Sequence, residues 1–145
     1  MAIWHQDTTI EQLNRLMCQN NMLEHLDISF TDIGSEHLSA RMPVDWRTHQ
    51  PAGILHGGAS VVLAETVGSV AANLCVDTKR YACVGQEINA NHLRAKKDGW
   101  ITATARPVHR GQRSQVWEIR IVDEVEKLIC ISRLTMATIK TRPDE

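Results

Sequence analysis

The 145-residue chain has almost no net charge: 16 lysines and arginines stand against 17 aspartates and glutamates, a formal balance of −1. No global field draws it to nucleic acid or to an anionic membrane, so its partners are expected to be small or specific. It has no CxxC pair either. Cys18, Cys75, Cys83 and Cys130 stand far apart, and none shares a zinc-type spacing with a histidine, which reads as reduced thiols in a cytoplasmic protein. His49, His56, His92 and His109 show no ligand spacing with a carboxylate, so no metal is expected. The opening MAIWHQDTTIEQLN lacks a cationic start followed by an apolar block, and secretion is not expected. Repeats and linkers are missing too, and the length suits one domain over residues 1–145.

Charge is also missing locally. LHGGASVVLAETVGSVAANL, from Leu55 to Leu74, holds one ionisable side chain, Glu65, besides His56 at its start. A membrane span is a poor reading, because Gly, Ser, Thr and Asn dilute the run and a glutamate sits at its centre. A helix buried in a core, starting at Gly57-Gly58 and ending near Asp77, fits better. Bare burial of that carboxylate costs several kcal/mol or more, so it must be paired, protonated or used.

The flanking segments supply a wrapping. Thr8 to His25 spaces its apolar residues as one amphipathic helix, with Asp7, Thr8 or Thr9 as cap. Asp27–Ile33 and His37–Val44 suggest a hairpin around Gly34-Ser35, and MPVDWRTHQPAG reads as a loop. Tyr81–Leu93, Trp100–Val108, SQVWEIRIVDE and Lys127–Lys140 follow as strands, with Trp117, Ile119 and Ile121 alternating inward, and they read as an antiparallel meander. An almost uncharged helix and strands with one apolar face pack best when the sheet wraps the helix, which makes the class α+β.

On that helix Glu65, Ser69 and Asn73 form a polar stripe suited to a cleft. Ser60 or Val61, Ala64, Gly68 and Ala71 or Ala72 form a stripe of small residues that admits a close neighbour, either the sheet or a second copy of the helix. The unpaired N–H groups after His56-Gly57-Gly58 form an anion-friendly end of the oxyanion-hole kind. Eight residues, about 12 Å of helix, separate Gly57 from Glu65. A reacting carbonyl needs donor and attacking group each at about 3 Å, so one chain cannot serve one substrate with both. A twofold dimer with antiparallel central helices removes the difficulty, and an obligate dimer with interfacial sites is expected.

HQPAGILHGGASVVLAETVGS, VGQEINANHLR and GQRSQVWEI together resemble the hotdog-fold acyl-CoA thioesterases. Within them they resemble the bacterial aryl-CoA branch that includes 1,4-dihydroxy-2-naphthoyl-CoA thioesterase and the proofreading thioesterase of enterobactin synthesis. The resemblance implies a hotdog fold with an additional N-terminal helix and hydrolysis of an acyl-CoA, or of an acyl-carrier thioester, without cofactor or metal. It further implies a homodimer that assembles into a tetramer. It makes Glu65 the catalytic carboxylate, as nucleophile or general base, and Gly57 the backbone donor to the thioester carbonyl. Gln50 and His56 would position the thioester or the water, and Ser69 would lie near the acyl group. His92 and Arg94 would belong to the substrate-binding strand, with Gly111, Gln112 and Arg113 contacting substrate at a turn. The chain departs from the family pattern at Ala52, where relatives usually carry Phe, and at Arg110, where they often carry Leu. A non-catalytic acyl-CoA binding protein and a hotdog dehydratase use the same fold, but the Glu65 and Gln50 pattern disfavours the dehydratase.

Overall fold

The computed structural model describes residues 1–141. Helix α1 (Ile10–Met17) starts at Thr9, whose hydroxyl accepts from the Gln12 N–H while Gln12 reaches back to the Thr9 N–H, a reciprocal cap. One continuous helix from Thr8 to His25 does not form. Asn20 takes φ 59, which breaks the helix, and Asn21 then caps a short second helix, α2 (Met22–His25), by accepting from the Leu23 N–H. The apolar spacing continues across the break because both helices lay side chains on the same core.

Strands β1 (Ser29–Ile33) and β2 (Leu38–Pro43) form the expected hairpin. The central helix α3 (Gly57–Leu74) follows, then β3 (Tyr81–His92), β4 (Trp100–Arg110), β5 (Ser114–Val122) and β6 (Leu128–Lys140). They make one antiparallel six-stranded sheet in the order β1-β2-β4-β5-β6-β3. The sequence reading of a simple meander needs correcting here. β4, β5 and β6 do run as neighbours, but β3 pairs with β6 and not with β4, so it forms an outer edge of the sheet. α3 fills the space that lets β2 join β4 and leaves β3 to close the far side.

The small-residue stripe of α3 faces the sheet. Ser60, Ala64, Gly68 and Ala71 are buried, and a β-carbon on Gly68 would come within 2.7 Å of Leu134 Cδ2. Leu63, Val67, Ile119, Ile121 and Leu134 complete that contact. α3 ends at Leu74 with Cys75 as cap, three residues before the expected Asp77, because the chain turns there to place Asn73 against β3. Trp117 is fully buried and stacks on Trp4, with ring centroids 6.4 Å apart, while its indole N–H donates to Gln115 at 2.8 Å. No helix among the described residues is long and apolar enough to cross a membrane.

Candidate active site

The loop before α3 builds its start. The His56 N–H donates to the Thr48 carbonyl at 2.8 Å, and His56 Nδ1 accepts from the Gly58 N–H at 2.8 Å. The Gly57 N–H then has no acceptor among the described residues, and it stands as a donor at the positive end of an 18-residue helix. Gly57 is glycine for a local reason: a β-carbon there would come within 2.6 Å of His92 Nε2. Gln50 sits in a tight turn closed by Gly53, whose φ of 76 suits glycine, and its side-chain oxygen is held by the Ala52 N–H at 2.5 Å. Its NH2 group is the end left to donate.

Gln50, Gly57, Ser60, His92 and Arg94 line one cleft of about 330 Å³. The segment carrying Arg94 is pinned beneath it: the Leu55 N–H donates to the Lys96 carbonyl at 2.8 Å, and His49 bonds the Lys97 carbonyl at 2.7 Å. Lys96 pairs with Glu124 at 2.7 Å, so its charge is already answered locally. On the other side of the helix start lies a hollow of about 540 Å³, walled by Met22, Leu26, Ala59 and Val62 with His25 and His56 at its polar rim. The apolar spacing offers Met22 or Leu23 as a core position of one long helix; the break before α2 makes Met22 part of this wall.

Glu65 lies two turns along α3, half-buried, with no ion-pair partner among the described residues. Its Oε1 rests over Gly85 of β3, where a β-carbon would come within 2.7 Å. Gly85 was not singled out from the sequence, although a glycine inside a strand is the usual sign of such an approach. Ser69, one turn further, is half-buried on the same side. Asn73 does not line a cleft, contrary to the sequence reading. Its amide accepts from the Cys83 N–H at 2.9 Å and donates to the Cys83 carbonyl at 3.0 Å, which fastens β3 to α3.

Gly111, Gln112 and Arg113 form the β4–β5 turn and line a cavity of about 730 Å³ beside Tyr81. Tyr81 begins β3 and His92 ends it, so roughly 35 Å of strand separates this cavity from the Gln50 cleft. One chain therefore gathers Gln50, Gly57, His92 and Arg94, holds Glu65 between, and leaves Gly111–Arg113 at the far end. The loop residue Trp46 is 82% exposed. The four thiols are free, and burial pushes that of Cys75 up to about 11, with Arg110 pulling weakly the other way. Thiolate chemistry is thus absent near neutral pH, whereas an unpaired carboxylate and a backbone donor are both present.

A sheet wrapped on a long helix, with a bare carboxylate on that helix and an open donor at its start, defines a hotdog-fold thioester hydrolase. The model of the Thioesterase superfamily matches residues 52–130, and the chain belongs to that family. It is 53% identical over 135 residues to 1,4-dihydroxy-2-naphthoyl-CoA hydrolase of Escherichia coli, covering 93% of this chain and 98% of the relative. To the proofreading thioesterase EntH of Cronobacter sakazakii it is 48% identical over 136 residues, covering 93% and 97%. A crystal structure of a thioesterase from Haemophilus influenzae superposes with a TM-score of 0.91 at 48% identity, covering 95% of each chain.

Proposed function

We propose that the chain hydrolyses an acyl-CoA thioester carrying an aromatic or similarly bulky acyl group, releasing the acid and CoA. Glu65 attacks the carbonyl or activates water, the Gly57 N–H polarises the carbonyl oxygen, and Gln50 and His56 orient the reacting groups. Ser69 borders the acyl group, and His92 and Arg94 guide the pantetheine arm. Thiolate is a good leaving group, so a carboxylate and fixed donors suffice, and no metal or cofactor takes part.

The observation that carries this reading is the Glu65 carboxylate, half-buried, without an ion-pair partner among the described residues, and laid over a glycine of an edge strand. That edge also supports the dimer. Among the described residues β3 has no neighbour on its outer side, and Val84 on it and Leu93 just past its end are 42% and 56% exposed. A long open edge with exposed apolar side chains is a template for another copy. Twofold pairing along it sets the helices side by side, so that Glu65 of one chain serves the helix start of the other, and such dimers associate further into tetramers. The protein works in the cytoplasm, with an acyl-CoA as its partner in solution and an acyl-carrier thioester as a second possible donor.

Thiol release from a panel of aryl-CoA and fatty acyl-CoA esters tests the reading. Aryl esters should turn over fastest, and Glu65→Gln should lower the rate by orders of magnitude. Wild type that binds these esters without releasing thiol would reject it.

A further inference from the structure

Ser60 heads the small-residue stripe of α3, whose other members Ala64, Gly68 and Ala71 carry no polar side-chain atom. Packing alone would be met by alanine. Ser60 is 1% exposed, and among the described residues no protein group hydrogen-bonds its hydroxyl. A hydroxyl inside a helix ordinarily returns to the carbonyl four residues back. Thr66 of the same helix does so, donating to the Val62 carbonyl at 2.7 Å. For Ser60 that carbonyl belongs to His56, and it already accepts the N–H groups of Ala59 at 3.0 Å and of Ser60 itself at 3.3 Å. Burying a hydroxyl without a partner is unfavourable. Among the described residues no fully sealed side-chain oxygen or nitrogen lacks a partner, so the Ser60 oxygen is not sealed. It opens on the cleft that the residue lines with Gln50, Gly57, His92 and Arg94.

The other polar groups of that cleft show what is missing from it. Gln50 spends its side-chain oxygen on the Ala52 N–H and presents its NH2 group. Gly57 presents its N–H, and Arg94 presents a guanidinium, which has no acceptor. The His92 ring is turned with Nε2 against Gly57. The Ile129 carbonyl in the wall already accepts from the Leu93 N–H at 2.8 Å and the Arg94 N–H at 3.3 Å. Ser60 is therefore the side-chain acceptor left open in a cleft of donors. It stands three residues past Gly57, about 4.5 Å along the helix axis. A CoA thioester whose carbonyl is held at Gly57 carries its nearest N–H at a comparable remove, on the amide one ethylene spacer beyond the sulfur.

We propose that the Ser60 hydroxyl accepts a hydrogen bond from that amide N–H, so that Ser60 fixes the thiol arm while Gly57 of the same chain holds the carbonyl. The proposal rests on the thioesterase reading above. It names the feature of the thiol half that the site reads, an amide one ethylene unit from the sulfur, independent of the acid attached.

Thiol release from two esters tests it: S-benzoylpantetheine, and its counterpart in which an ester oxygen replaces the amide N–H nearest the sulfur. Wild type should favour the amide by about tenfold in kcat/KM, as expected for a hydrogen bond made in one substrate and missing in the other. Ser60→Ala should lose about tenfold on the amide and less than about twofold on the ester oxygen analogue, which removes the preference. The variant should melt no lower than wild type, because the hydroxyl it deletes bonds no group of the described chain. A loss by the same factor on both esters, as a packing role would give, or no loss on either, overturns the proposal. Benzoyl-CoA separates the two claims. If wild type releases thiol from neither benzoyl-CoA nor the pantetheine esters, the hydrolase reading falls and this assignment with it. If it cleaves benzoyl-CoA but shows no preference for the amide, the Ser60 assignment alone falls.

Discussion

Gly85 of β3 and Glu65 of α3 meet with nothing between them, the carboxylate Oε1 occupying the place of the side chain that Gly85 lacks. Gly85→Ala would put a methyl within 2.7 Å of that oxygen, and the end of a flexible side chain is what must yield. Stability should therefore change by less than about 1 kcal/mol. Thiol release should fall tenfold or more, because a carboxylate displaced by about 1 Å no longer attacks in line. Thermal melting alongside steady-state rates checks both halves.

Gly57 and His92 are similarly complementary. Gly57→Ala would drive its methyl to within 2.6 Å of His92 Nε2 and force the imidazole aside, so kcat/KM should drop. His92→Ala removes the obstacle. In the double variant the two losses should combine to less than their product, as expected for residues in contact. Simple multiplication of the two effects in a double-mutant cycle would show that the clash has no functional consequence.

Asn73 belongs to stability and not to chemistry. Asn73→Ala strips both Cys83 backbone groups of partners in a half-buried setting, which should cost about 2 kcal/mol in urea denaturation. The free edge of β3 would lose its anchor near the proposed dimer contact, so the variant should also dissociate at higher protein concentration. Sedimentation across a dilution series reads that shift.

The helix around Glu65 was legible in the sequence because so little charge surrounds it, and the family motifs carried Gln50, His56 and Gly57 with it. Three features were not. The helix break at Asn20 depends on one backbone angle that the apolar spacing does not register. The pairing of β3 with β6 follows from where α3 sits, whereas a chain-order reading joins nearest neighbours. The stripe Glu65, Ser69 and Asn73 is polar throughout, yet only tertiary contact shows that Asn73 is consumed by Cys83 while Glu65 is left open.

Burial raises the Cys75 thiol from 9.0 to about 11 and pushes those of Cys18, Cys83 and Cys130 upward as well. The folded chain thus holds protons that the unfolded chain releases above pH 9. Stability from this source is complete below about pH 9 and is lost as pH rises toward 11. Melting temperature should fall across that window, and Cys75→Ser should flatten the fall. Native protein at pH 8 should react slowly with a thiol reagent, and unfolded protein rapidly.

Composite sites are the centre of this account, and subunit mixing tests them most directly. Glu65→Gln and Gln50→Ala should each be nearly inactive alone. After equal mixing and subunit exchange, hybrid dimers carry one site with Gln50 from the first variant and Glu65 from the second, both intact. Half of the dimers are hybrids with one good site in two, so thiol release should recover to about a quarter of the wild-type rate. Sites built within one chain would stay inactive in every dimer, and a mixture no more active than its components would contradict the account.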